Sequence, residues 1–208
     1  MIAIVDYGMG NLRSVQKACE TVGGQTVVTD DPKTVLEAEK VILPGVGAFR
    51  DAMKAMREHG LDVAVKEAAR QGKPLLGVCL GYQMLFDRSF EDGEHHGLGL
   101  VRGNVRLMES DGLKIPHMGW NALHWAKRTE INEGIAEGEN VYFVHSYAAY
   151  DCDPSDILAT TEYGMPIIAA IAHGNITGFQ FHPEKSGGEG LKLLSNFIRS
   201  SYGNISRD

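Results

Sequence analysis

The first half of the chain alternates short, continuously apolar runs with helix-period patterns, and this alternation restricts the fold more than any other feature. Ile2–Tyr7 reads as a buried strand and Asn11–Val22 as a helix stopped by Gly23-Gly24. Thr26–Thr29 is a second strand, followed by Asp31-Pro32, an N-cap and first-turn proline that open a short helix. Lys40–Leu43 is a third strand running into Pro44-Gly45-Val46-Gly47, and Ala48–Glu58 and Leu61–Arg70 are amphipathic helices. Pro74–Val78 is a fourth strand and Leu80–Phe86 a further helix. Strands that are apolar along their whole length are buried on both faces. The pattern therefore predicts an α/β fold of three layers, a mostly parallel sheet flanked by helices.

The second half changes character. Leu100–Met108, His117–Trp125, Val141–Tyr150 and Ile157–Tyr163 read as strands with few helices between them. Ile167–Ala172 and Ile176–His182 flank His173-Gly174-Asn175, a hairpin turn between two apolar runs, and a final amphipathic helix covers about Glu189–Arg199. Without repeat or linker, residues 1–208 are expected to form a single domain with an antiparallel extension to the sheet.

Composition removes several function classes. A formal net charge of -7 argues against a nucleic-acid partner, which needs clustered Lys and Arg. No apolar run approaches the roughly 20 residues of a membrane span. The opening Met1-Ile2-Ala3-Ile4-Val5-Asp6 lacks the basic lead of a signal peptide. Three cysteines, odd in number and far apart, fit a reducing compartment, so the cytoplasm is expected.

The residues that carry chemistry begin with Gly77-Val78-Cys79-Leu80-Gly81, which follows an apolar strand and opens a helix. This G-x-C-x-G elbow is the thiol version of the G-x-S-x-G nucleophile turn. Its two glycines let strand and helix close on each other, and the helix N-terminus under the sulfur favours thiolate. A buried structural cysteine is the plainer reading for Cys19, inside a helix pattern, and nothing around Cys152 points to chemistry. At Cys79 the elbow outweighs it. A thiol nucleophile needs a base, and Phe179-Gln180-Phe181-His182-Pro183-Glu184 offers one. Strand alternation puts Gln180, His182 and Glu184 on one face, so the carboxylate can hold the imidazole. Pro183 ends sheet pairing and leaves the pair at the rim, where open α/β sheets place their sites. His95-His96 lies in a polar segment without metal-ligand spacing and reads as a solvated loop, so no metal site and no cofactor is expected.

The order Cys79, His182, Glu184, with base and acid two residues apart, resembles the triad-type, or class I, glutamine amidotransferases. Pro44-Gly45-Val46-Gly47-Ala48-Phe49 is similar to that family's oxyanion strand, which implies that backbone N–H groups near Gly45, Val46, Gly47 and Leu80 face the oxyanion. The resemblance also implies that Gln83 and the segment His145-Ser146-Tyr147 hold the substrate, L-glutamine. It covers essentially the whole chain.

Within the family, the opening Ile4-Val5-Asp6-Tyr7-Gly8-Met9-Gly10-Asn11-Leu12-Arg13-Ser14-Val15 and the segment Pro116-His117-Met118-Gly119-Trp120-Asn121 resemble one branch. Its members pass ammonia to a (β/α)8-barrel cyclase that makes imidazole glycerol phosphate and an aminoimidazole carboxamide ribonucleotide in histidine biosynthesis. The implied assembly is a heterodimer, with Met118 and Trp120 at the partner interface. Three readings stay open at this point: a glutaminase for another synthase, such as the pyridoxal-phosphate one; a cysteine peptidase sharing the elbow; and a non-catalytic binding module.

Overall fold

The computed structural model describes residues 1–200. Its centre is an eight-stranded sheet in the order Thr26–Thr29, Ile2–Val5, Lys40–Leu43, Leu75–Val78, Ile176–Phe179, Pro166–His173, Ile157–Glu162, His124–Trp125. The first five strands pair in parallel, and the last three extend the sheet antiparallel. The alternation of the sequence thus becomes three layers. Ala3, Val5, Val41 and Leu75 face one core with the helices Phe49–Glu58 and Leu61–Arg70. Ile2, Ile4, Ile42 and Leu76 face the other, closed by Leu12–Thr21 and Gly187–Arg199. Asp31 caps its helix as the sequence predicts, accepting from the N–H groups of Lys33 and Thr34.

Two smaller sheets pack beside this frame. One pairs Asn140–His145 with His117–Ala122; the other orders Tyr147–Tyr150, Val101–Leu107, Phe86–Ser89 and His95–His96. Four expectations need correction here, the first being the strand His117–Trp125, which breaks at Leu123 between a small sheet and the eight-stranded one. The helix after the elbow ends at Met84, because Phe86–Ser89 leaves it to pair in parallel with Val101–Leu107. His95–His96 is a short strand on Phe86–Ser89 rather than a loop. The predicted strand Val141–Tyr150 breaks at Ser146, its two halves entering different sheets. The hairpin stands, with His173 paired to Ile176 and Gly174 at φ +55°. Among the described residues, no helix is long and apolar enough to cross a membrane.

Candidate active site

Three adjacent strands of the parallel sheet, Lys40–Leu43, Leu75–Val78 and Ile176–Phe179, lead at their C-terminal ends to the glycine-rich segment, Cys79 and His182. Parallel pairing brings segments far apart in sequence to one edge. At the elbow, Cys79 sits at φ +54°, a left-handed conformation that costs a non-glycine residue on the order of 1–3 kcal/mol. The surroundings enforce it. The Cys79 N–H donates to the Phe179 carbonyl at 2.8 Å. A Cβ on Gly77 would meet the Gly81 carbonyl oxygen at 2.8 Å, and one on Gly81 would overlap the Leu43 carbonyl. The thiol stands at a cleft of about 320 Å³. Its Sγ lies 4.0 Å from the Val144 carbonyl and receives a long contact of 3.9 Å from Gln180 Nε2.

His182 lines the same cleft. Its Nδ1 is 2.8 Å from Glu184 Oε1, and both side chains are buried, at 3% and 2% exposure. The sequence joined these residues through strand alternation, but the pairing has another cause. The strand ends at Phe179, and Pro183–Lys185 forms a single 3-10 turn that swings Glu184 back beneath the ring. His182 donates its N–H to the Tyr142 carbonyl, while the Ser186 hydroxyl donates to the His182 carbonyl and accepts from the Tyr142 N–H. Burial alone would lower the imidazole's pKa. The Cys79 sulfur and the Glu184 carboxylate outweigh it and raise the group to about 9. Nε2 and Glu184 Oε2 are buried without hydrogen bonds. Cys19 and Cys152 are pushed up to about 12, burial being the main cause, so both stay protonated at neutral pH.

The glycine-rich segment closes another side. Val46 and Gly47 line the cleft, with Val46 40% exposed and Gly47 at φ +103°. The Leu80 N–H is already engaged, donating to the Gly45 carbonyl at 3.3 Å. The buried Tyr7 hydroxyl donates to the Pro44 carbonyl. Burial, with the charges of Cys79 and Asp6 added, raises the Tyr7 pKa far above its ordinary value and keeps it a neutral donor.

On the facing side, Gln83, His145, Ser146 and Tyr147 all line the cleft. Gln83 Nε2 donates to the Tyr147 carbonyl at 3.1 Å and to Gln180 Oε1 at 3.0 Å, tying the elbow helix to the strand break. Burial holds His145 down to about 3. Met118 and Trp120 lie outside this cleft, exposed at 61% and 55% on one face of their strand. The sequence reading placed Gln180 beside His182 without a role for it and missed Ser186, Lys185 and Glu91. Glu91 was absorbed into a polar segment, yet it lines the cleft and accepts from the Phe49 N–H at 2.8 Å.

The family described as "Glutamine amidotransferase class-I" matches residues 3–200. The imidazole glycerol phosphate synthase subunit HisH of Aquifex aeolicus is 51% identical over 199 residues, spanning 95% of this chain and 96% of its own. That of Sulfurimonas denitrificans is 52% identical over 203 residues, spanning 96% and 98%. Among solved structures, a crystal structure of a glutamine amidotransferase superposes with a TM-score of 0.76 at 20% identity, over 95% of this chain and 97% of that one. PurLQS from Thermotoga maritima gives 0.73 at 24%, over 95% and 96%. At such identities the structural likeness speaks for the fold alone.

Proposed function

Since the chain belongs to the class I glutamine amidotransferases, we propose that it is the glutaminase subunit of an imidazole glycerol phosphate synthase. The observation that carries this reading is the buried Cys79–His182–Glu184 constellation at one sheet edge, opening on a cleft sized for an amino acid. In this role Cys79 attacks the side-chain amide of glutamine. The imidazolium of His182, held by Glu184, gives its proton to the departing ammonia and leaves a thioester. His182 then takes a proton from water, and the hydroxide formed releases glutamate and restores the thiolate.

The oxyanion needs donors that the resting geometry withholds. The Gly45 carbonyl points at the Leu80 N–H. Rotation of the Gly45–Val46 peptide would free that N–H and present the Val46 N–H together. Glycine at 45, one of the two residues whose torsions change, keeps such a rotation sterically cheap. Gln83 and the main chain of His145-Ser146-Tyr147 hold the substrate, the latter seating its α-carboxylate, while Glu91 supplies the counter-charge for its ammonium.

Ammonia released into neutral water would become ammonium, which has no lone pair to attack with. The product therefore needs a closed path into the partner. We assign that partner as a (β/α)8-barrel cyclase, docked over exposed Met118 and Trp120 to form a heterodimer in the cytoplasm. The test is glutamine hydrolysis by the chain alone, by the chain with the cyclase, and by that pair with its nucleotide acceptor. Turnover is expected to rise at each step. Equal rates in all three states would contradict the coupled reading.

A further inference from the structure

Behind the cleft wall runs a chain of hydrogen bonds, buried at its two histidines and reaching the surface beyond Asn121, that is one proton short. It starts at the Tyr147 carbonyl, 2.9 Å from His145 Nδ1. His145 Nε2 is 3.0 Å from His117 Nδ1, and His117 Nε2 is 2.7 Å from Asn121 Oδ1. Asn121 Nδ2 donates to the Glu162 carbonyl at 3.0 Å. Both ends are carbonyls, which only accept. Asn121 must donate to Glu162, so its oxygen needs the proton of His117 Nε2; Tyr147 likewise needs the proton of His145 Nδ1. Two neutral histidines carry one N–H each, and both are then spent. The central contact is left with two lone pairs facing each other at 3.0 Å. Exchanging tautomers moves the defect to the Tyr147 or Asn121 link, and flipping the amide moves it to the exposed Asn121–Glu162 link.

A second observation bears on the same place. The His117 ring stacks on Phe143 at 4.8 Å and on Tyr163 at 4.1 Å, with interplanar angles of 20° and 22°. Aromatic faces attract a cation. Among the described residues, no carboxylate bonds to either ring. Across the cleft, His182 acts on His145. Cys79, Glu91 and Lys185 line the same cleft, and the Glu162 side chain points to solvent. Burial disfavours charge on both rings, so the empty site does not hold the missing proton for free.

We propose that His117 and His145 form a proton site coupled to substrate binding. The pair takes one proton from solvent onto the His117 Nδ1–His145 Nε2 contact when a carboxylate sits beside Ser146 and Tyr147. This rests on reading His145-Ser146-Tyr147 as the seat of the substrate's α-carboxylate. The anion offsets the burial that opposes charge, and the added proton completes every link of the chain. His117 is then a positioning residue acting through His145, and the imidazolium gives the seat its positive charge.

The direct test is 15N spectroscopy of the histidine rings in the full Cys79→Ala chain, with His117→Phe used for assignment. Glutamine is expected to bring His117 and His145 to the imidazolium pattern, whereas 4-aminobutyramide, which lacks the α-carboxylate, leaves both neutral. Rings that stay neutral with glutamine bound, while 4-aminobutyramide binds weakly, would overturn the proton site and leave the carboxylate seat standing. If 4-aminobutyramide binds as well as glutamine, the seat itself is wrong and the proposal falls with it. In otherwise wild-type protein, His117→Phe keeps the stacking and is expected to raise KM for glutamine about tenfold, the scale of one lost charge-assisted hydrogen bond, acting mainly on KM rather than kcat. Binding that takes up a proton weakens as pH rises through the bound pair's pKa. The wild-type KM therefore climbs with pH and that of His117→Phe stays flat; matching profiles would overturn the assignment.

Discussion

Gly77 and Gly81 bracket Cys79 at the end of one strand, and Gly45 and Gly47 bracket Val46 at the end of its neighbour. The first pair is locked. A Cβ at either glycine runs into backbone, and Cys79 is held in left-handed geometry by a hydrogen bond to the adjoining strand. In the second pair Gly45 is packed closely, a Cβ there overlapping the Tyr7 hydroxyl, and only the outer end is looser. Val46 is exposed, and a Cβ on Gly47 would meet only the end of the flexible Met9 side chain, at 2.6 Å. Similar spelling therefore serves two purposes. Glycine at the elbow fixes a nucleophile by permitting close packing, whereas glycine at the neighbouring segment preserves a peptide's freedom to turn. Sequence alone does not separate these uses; the atoms opposite each glycine do.

The largest effect expected from this contrast is on folding. Gly81→Ala should cost about 3 kcal/mol or more, because the added methyl overlaps a main-chain carbonyl that cannot rotate away. Urea unfolding monitored by circular dichroism measures it. A loss below about 1 kcal/mol would mean that the elbow is not locked. At the looser segment the effect moves from stability to rate. Gly47→Pro cannot adopt the φ of +103° found there and restricts Val46 before it, so partner-stimulated glutamine turnover should fall about 10²–10³-fold, the scale of one lost oxyanion donor, while the native circular dichroism spectrum is kept. Full stimulated turnover in that variant would strike the segment from the catalytic account.

A smaller effect concerns the base. Glu184→Gln should slow turnover less than His182→Ala, because a base remains. The raised His182 pKa adds a signature in stability. Its contribution is complete below the ordinary histidine value of about 6.5 and is lost as pH rises through about 9. Thermal unfolding of wild type should weaken across that window, and His182→Ala should show no such slope there. An unchanged slope in His182→Ala would mean that another group carries it.

Much of this was legible in the chain because local rules apply to it. Continuously apolar runs such as Lys40–Leu43 declare strands buried on both faces, and Gly77-Val78-Cys79-Leu80-Gly81 declares a turn. The failures occur where tertiary pairing decides. Phe86 looked helical until Val101–Leu107 supplied a strand partner, and Ser146 looked like mid-strand because nothing local marks a change of sheet. His182 and Glu184 were joined for the wrong reason. A 3-10 turn, pinned through Ser186 to Tyr142, unites them rather than a pleat. Glu91 escaped notice because a loop carboxylate is ordinary until the fold brings it against a cleft.

The central claim is that Cys79, the one cysteine placed on the strained elbow, becomes acylated by glutamine. Acid quenching during turnover with labelled glutamine, followed by peptide mass spectrometry, tests it directly. The account predicts a glutamyl thioester on the peptide containing Cys79, absent from Cys79→Ala and formed more slowly when His182 is replaced, because the same imidazole protonates the departing ammonia. Continued hydrolysis by Cys79→Ala, or label on Cys19 or Cys152 in place of Cys79, would contradict it.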